Sequence, residues 1–315
     1  LAFMGLPSLK ELREGGKAAV ARALAAIETE ANSPALASLL DEACANRKGH
    51  ILGLTGTPGV GKSTLINALI ARARAADQTI AVIAVDPSSK ATGGALLGDR
   101  ARMTTNPDDK GVFVRSMAAR DRLGGISNET IAAAVLMRAL YDRVIVETVG
   151  VGQSESDIAG IADTVLLCIQ PGAGDSLQFM KAGVMELPDV IAVTKGDLGA
   201  AARRARADVE GALGLSAHGS WKAPVITISA TTGEGLDQLD QAIETHMQFL
   251  AEDGRRERKQ QEQEAAWVAE AIKARFGSEG LEASRRFQVE AKGPFSRETA
   301  IAETLRKRLN PLTPG

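Results

Sequence analysis

The sequence predicts an α/β protein: a doubly wound, mainly parallel sheet with ligand loops at the carboxyl ends of its strands, preceded and followed by helical extensions. Three observations predict it. Seven short runs rich in Val, Ile and Leu lie between residues 49 and 250, separated by helical segments. The runs are mostly continuous rather than alternating, as expected for strands buried on both faces of a parallel sheet. Every unusual loop follows one of these runs directly, where such sheets hold their ligands.

Bulk composition narrows the function classes. The chain has 315 residues, 44% apolar and 24% charged, which suits a sizeable core with extensions. Its 37 basic and 39 acidic residues leave a net charge of −2, which argues against a broad nucleic-acid surface. Aromatic residues are only 3%, too few for the stacking platforms of single-strand binders. No apolar run approaches the length of a membrane span, and LAFMGLPSL lacks the basic segment of a secretory signal, so a cytoplasmic protein away from membranes is expected. Cys44 and Cys168 form no CxxC pair, and Cys168, inside DTVLLCI, reads as a buried, inert thiol.

Residues 1–48 read as two helices. Leu9, Leu12, Val20, Leu24 and Ile27 fall near a 3.6-residue period, interrupted at Gly15-Gly16. Ser33-Pro34 supplies a cap and first turn for ALASLLDEA. Residues 49–250 hold the seven runs HILGLTG, TIAVIAVD, GVFVRSM, DRVIVETVG, DTVLLCI, DVIAVTKGD and PVITISA. Residues 251–315 turn polar and helical, with Trp267, Val268, Ala271 and Ile272 as a narrow apolar stripe; a solvated helix with one packed face and an arm contacting another subunit fit this pattern equally.

The first run ends in GTPGVGKS, residues 56–63, and a helix follows. This strand–loop–helix setting is what a phosphate-binding G-x-x-x-x-G-K-[ST] loop needs. Gly56, Thr57, Pro58, Gly59, Val60 and Gly61 form the loop whose N–H groups would surround phosphate oxygens, with Thr64 in the first helical turn. Lys62 would reach the β- and γ-phosphates and Ser63 would ligate Mg²⁺. Asp86 and Glu147 end two further runs and are candidate metal carboxylates, with Asp99 in the long loop 87–103, where Arg102 is a candidate phosphate contact. Gly150 would offer its N–H near the γ-phosphate.

The base is read from Thr194, Lys195 and Asp197 of TKGD. A carboxylate accepts from both guanine N1–H and its amine, which adenine cannot match, and the Lys195 stem can lie along the purine. Thr194 stands where such loops usually have Asn and replaces part of its hydrogen bonding. PVITISA then presents Ser229, Ala230 and Thr231 before GEG, a second base-side segment. Together these motifs favour GTP and GDP over ATP.

The chain resembles the MeaB/ArgK-type GTPases, related to the methylmalonic aciduria type A protein. The residues that carry the resemblance are GTPGVGKSTLINAL, AVDPSSKATGGALLGDRARM, VIVETVGVGQSE, QPGAGDSLQFMKAGVMELPD and SATTGEGL. The resemblance implies a P-loop GTPase domain flanked by an N-terminal helical extension and a C-terminal dimerisation arm. It implies a slow GTPase using Mg²⁺ with GTP or GDP, which gates adenosylcobalamin loading and repair of an acyl-CoA mutase, of the methylmalonyl-CoA or isobutyryl/hydroxyisobutyryl-CoA type. The cobalamin belongs to the partner mutase; an adenosyltransferase is a further implied partner. Asp175, Gln178 and Lys181 lie in a segment matching a family switch, and Asp175 and Lys181 join Lys62 and Glu147 as candidate catalytic residues. A nickel-delivering metallochaperone GTPase and a transport-protein kinase are the alternatives; the chain has only His50, His218 and His246.

Overall fold

The computed structural model describes residues 6–30, 33–86, 106–119, 126–148, 154–172, 187–215 and 220–309, with the side chains of 86, 154–156, 214 and 215 outside the description. All seven predicted runs are strands. They are β1 (His50–Gly56), β2 (Ile80–Asp86), β3 (Val112–Ala118), β4 (Arg143–Glu147), β5 (Thr164–Ile169), β6 (Val190–Val193) and β7 (Val225–Thr227). The sheet order is β3-β2-β4-β1-β5-β6-β7, and every neighbouring pair is parallel. β1 therefore lies at the centre, and its carboxyl end delivers the chain into GTPGVGKS.

Side-chain alternation along these strands feeds two cores, one on each face. Ile51, Ala81, Ile83, Val144, Val146 and Val165 pack towards α1 (Leu9–Thr29), α2 (Pro34–Ala45) and α4 (Asn128–Leu140). Leu52, Leu54, Val82, Ala84, Ile145 and Leu166 pack towards α3 (Lys62–Ala75) and α7 (Leu236–Ala251). Burial on both faces is why the runs read as continuously apolar. The remaining helices are α5 (Ser154–Ala159), α6 (Ala200–Leu215), α8 (Arg255–Ser284) and α9 (Pro294–Leu309).

Helix ends agree with the sequence in part. α1 bends at Gly16, which has φ 59°, where the glycine pair weakens the helical period. It starts with a capping box: the Ser8 Oγ accepts from the Glu11 N–H while a Glu11 carboxylate oxygen accepts from the Ser8 N–H. At α2, Ser33 holds the cap position and Pro34 the first turn, but the Ser33 side chain makes no capping bond.

Long-range contacts join the terminal helices. α9 packs on both α8 and α2. The buried Asp41 carboxylate of α2 accepts from the N–H groups of Phe295 (2.9 Å) and Ser296 (3.2 Å), capping α9 across more than 250 residues of sequence. A carboxylate there also matches the positive end of the helix dipole. Asp41→Ala should cost about 1–2 kcal/mol of stability, measured by urea unfolding; an unchanged midpoint would show that the cap contributes nothing.

Candidate nucleotide site

The loop between β1 and α3 is shaped by its glycines. Gly59 and Gly61 have φ of 78° and 105°. Gly56 has φ 145° and lies so close to β5 that an added Cβ would come 2.4 Å from the Cys168 carbonyl oxygen. Only glycine passes there. Val60 is fully buried and anchors the loop in the core beneath it. Burial pushes the neighbouring Cys168 thiol up to about 12, in keeping with an inert thiol.

A cleft of about 420 Å³ opens above this loop, lined by Gly59, Gly61, Lys62, Ser63, Thr64 and Glu147 among others. Lys62 is 6% exposed, and its ammonium donates to the carbonyls of Gly56 (2.6 Å) and Thr57 (3.3 Å). Glu147, at the end of β4, is 6% exposed and lies level with Leu54 of β1 and Ala84 of β2. The Ser63 hydroxyl and Glu147 carboxylate thus line one cleft with the phosphate loop, a donor set of hard oxygens that fits Mg²⁺. Asp86 closes β2, as expected, but its side chain lies outside the described residues. So do Asp99, Arg102, Gly150, Asp175, Gln178 and Lys181.

Four lining residues, Asn67, Ala84, Val85 and Thr148, were not singled out by sequence reasoning. Asn67 lies four residues after Ser63, hence on the same face of α3, and reaches the cleft. Val85 and Thr148 are neighbours of the strand-end carboxylates. Thr148 donates to the Thr55 hydroxyl (3.0 Å) and its N–H bonds the Leu54 carbonyl, so β4 remains tied to β1 beyond Glu147. Helical spacing could have found Asn67; nothing in the sequence pairs Thr55 with Thr148.

The base-side segments meet beside the loop. Thr194, buried at the end of β6, has its hydroxyl 2.8 Å from the Val60 carbonyl and 3.1 Å from the Ile169 carbonyl. The residue at the altered position therefore ties TKGD to the phosphate loop. Lys195 adopts a left-handed φ of 55° and donates to the Gln170 side chain (2.6 Å). The Gly196 N–H bonds the Ile228 carbonyl (2.8 Å), holding TKGD against the segment that carries Ser229, Ala230 and Thr231. Ser229 is buried and organises its own turn, accepting through its hydroxyl from the Thr232 N–H and through its carbonyl from the Gly233 N–H. Asp197 is exposed and makes no hydrogen bond or ion pair with another described residue. Thr194→Val should cost about 1 kcal/mol and weaken GDP binding, while Thr194→Ser should restore both; calorimetric titration of GDP against the two variants checks this, and equal affinities would remove the tie from the site.

A second cavity, about 330 Å³, lies at the amino-terminal end of the strands between α3 and α7. Its charged side chains are paired: Arg72 with Asp240 and with Asp237 outside the lining, Arg143 with Glu244. It contains none of the phosphate or base motifs.

The chain is similar to known GTPases in sequence and fold. The family described as "Methylmalonyl Co-A mutase-associated GTPase MeaB" matches residues 20–284. A GTPase of Pyrococcus horikoshii is 43% identical over 258 residues, covering 78% of this chain and 79% of the relative. The mouse mitochondrial homologue of the methylmalonic aciduria type A protein is 40% identical over 69% of this chain and 54% of the relative. Among solved structures, a LAO/AO transport system kinase superposes with a TM-score of 0.68 at 28% identity, over 95% of this chain and 96% of that one.

Proposed function

The chain belongs to the family of methylmalonyl-CoA mutase-associated GTPases of the MeaB type, and from that premise we propose that it is a GTP-gated chaperone of an adenosylcobalamin-dependent acyl-CoA mutase. GTP hydrolysis is the activity of the family. The observation that carries the reading of this chain is the convergence of Lys62, Ser63 and Glu147 on one cleft, with TKGD tied to its floor through Thr194.

In this reading the loop N–H groups and Lys62 hold the triphosphate and meet the charge that grows on its oxygens during transfer. Ser63 and Glu147, with Asp86 and Asp99, hold Mg²⁺, which when bound neutralises phosphate charge. Asp197 accepts from the guanine donors, and Ser229, Ala230 and Thr231 border the base. Gly150, Asp175 and Lys181 respond to the γ-phosphate and complete the catalytic set when a mutase docks, because the partner binds that ordered state better than the alternative. α8 and α9 form the arm of a homodimer in the cytoplasm, and the cobalamin stays with the mutase and its adenosyltransferase.

The test is steady-state GTP hydrolysis by the chain alone and with a purified cobalamin-dependent mutase. Slow turnover alone, stimulated by the mutase, is the expected result, and Lys181→Ala should blunt the stimulation while sparing the basal rate. Stimulation of equal size in parent and variant would remove Lys181 from the mechanism. A second reading, phosphoryl transfer to a transport protein, follows the description of the solved relative as a transport-system kinase. It requires ATP to compete with GDP for the site, which the same preparation can measure.

A further inference from the structure

Lys195 leads into the turn of Asp197 and Leu198, both exposed, yet its own position is closely determined. Its backbone is left-handed, with a φ of 55°, a conformation uncommon for a residue with a Cβ. Hydrogen bonds pin both of its neighbours. The Thr194 N–H donates to the Ile169 carbonyl at 2.8 Å, and the Gly196 N–H donates to the Ile228 carbonyl at 2.8 Å. The Lys195 carbonyl accepts from the Leu198 N–H at 3.0 Å. From this fixed backbone the half-buried side chain turns to Gln170, whose amide oxygen accepts from the ammonium at 2.6 Å.

Gln170 is the first residue after β5, and β5 lies between β6 and β1 in the sheet. The Lys195 stem therefore runs from the end of β6 back towards the strand beside the phosphate loop. Thr194 bridges the same elements, with its hydroxyl against the Ile169 and Val60 carbonyls. A lysine side chain left to itself keeps its ammonium in water and its four-carbon stem mobile. Ordering such a side chain when a ligand arrives subtracts from affinity. Here a partner within the fold has already ordered it. That partner is neutral, so it holds the ammonium without cancelling the positive charge, which a carboxylate would do.

We propose that Gln170 is a positioning residue for nucleotide binding, holding the Lys195 ammonium so that the stem is preset along the face of the purine. Gln170 acts through Lys195 and not on the base. Every purine presents a face, so the contribution goes to guanine and hypoxanthine nucleotides alike. The choice of guanine over adenine stays with Asp197. The proposal rests on the reading that TKGD borders the base.

The test uses the full chain carrying Gln170→Met, which keeps the length of the side chain and removes the acceptor. Lys195→Met, which keeps most of the stem and removes the ammonium, and the double variant complete a cycle. Gln170→Met should weaken binding of GDP and of inosine diphosphate by one factor, about three- to tenfold, in calorimetric titration. KM for GTP should rise in step, while kcat stays within about twofold of the parent. General damage to the fold would lower kcat and the thermal midpoint as well, so this split separates positioning from disruption. In the Lys195→Met background, adding Gln170→Met should weaken GDP binding no further. Parental GDP affinity in Gln170→Met, or its full loss repeated in the Lys195→Met background, would overturn the proposal. Asp197→Asn serves as control: unchanged guanine preference there means that TKGD does not read the base. Lost preference there beside parental affinity in Gln170→Met sinks only the role of Gln170.

Discussion

Lys62→Ala should lose GTP hydrolysis by a factor on the order of 10²–10³ or more, the usual cost of removing one preorganised charge or donor aimed at a developing oxyanion. The ammonium sits buried at the floor of the cleft, against the carbonyls of Gly56 and Thr57. From there its stem can extend towards a triphosphate without rearranging the loop. The fold should survive, because removing the ammonium also removes the cost of burying its charge, and the loop stays anchored by Val60. Ser63→Ala should act in the same direction through the metal, with its largest effect at low magnesium. Circular dichroism and single-turnover hydrolysis together check both variants; a folded Lys62→Ala protein with the parental rate would displace the site from this loop.

Asp197→Asn should collapse the preference for guanine over adenine nucleotides, by roughly 10²- to 10⁴-fold. The carboxylate is exposed and has no partner among the described residues. An amide supplies one acceptor where two guanine donors need two, and leaves a donor facing a donor. Unfolding stability should not change, which separates a recognition defect from a structural one. Competition of labelled GDP by unlabelled GDP, ADP and xanthosine diphosphate checks this; undiminished guanine preference would place base recognition elsewhere.

How far the sequence revealed these features depended on whether the controlling forces were local. The seven strands were legible because burial on both faces leaves continuous apolar runs, whereas the bend of α1 at Gly16 showed in the sequence only as a weakened helical period at the glycine pair. The phosphate loop was legible because turn chemistry, glycine placement and a following helix all coincide within eight residues. Thr194 was read as a weakened base contact, whereas its hydroxyl lies against the Val60 and Ile169 carbonyls, partners that are distant in the chain and have no local signature. Asp41 capping α9, and Gln170 holding the Lys195 ammonium, were hidden for the same reason. A glutamine just past a strand end looks solvated until the side chain it meets is known.

Nucleotide state in this cleft should control delivery of cobalamin to a mutase, and transfer of adenosylcobalamin tests this most directly. An apo acyl-CoA mutase would be mixed with an adenosyltransferase carrying adenosylcobalamin, in the presence of this chain with GTP, a non-hydrolysable GTP analogue or GDP. Transfer would be followed by the change in cobalamin absorbance. Transfer in the presence of the chain should depend on which nucleotide is bound, and Lys62→Ala should erase the dependence. Transfer at one rate under all three nucleotides, with the parent protein folded and binding GTP, would contradict it.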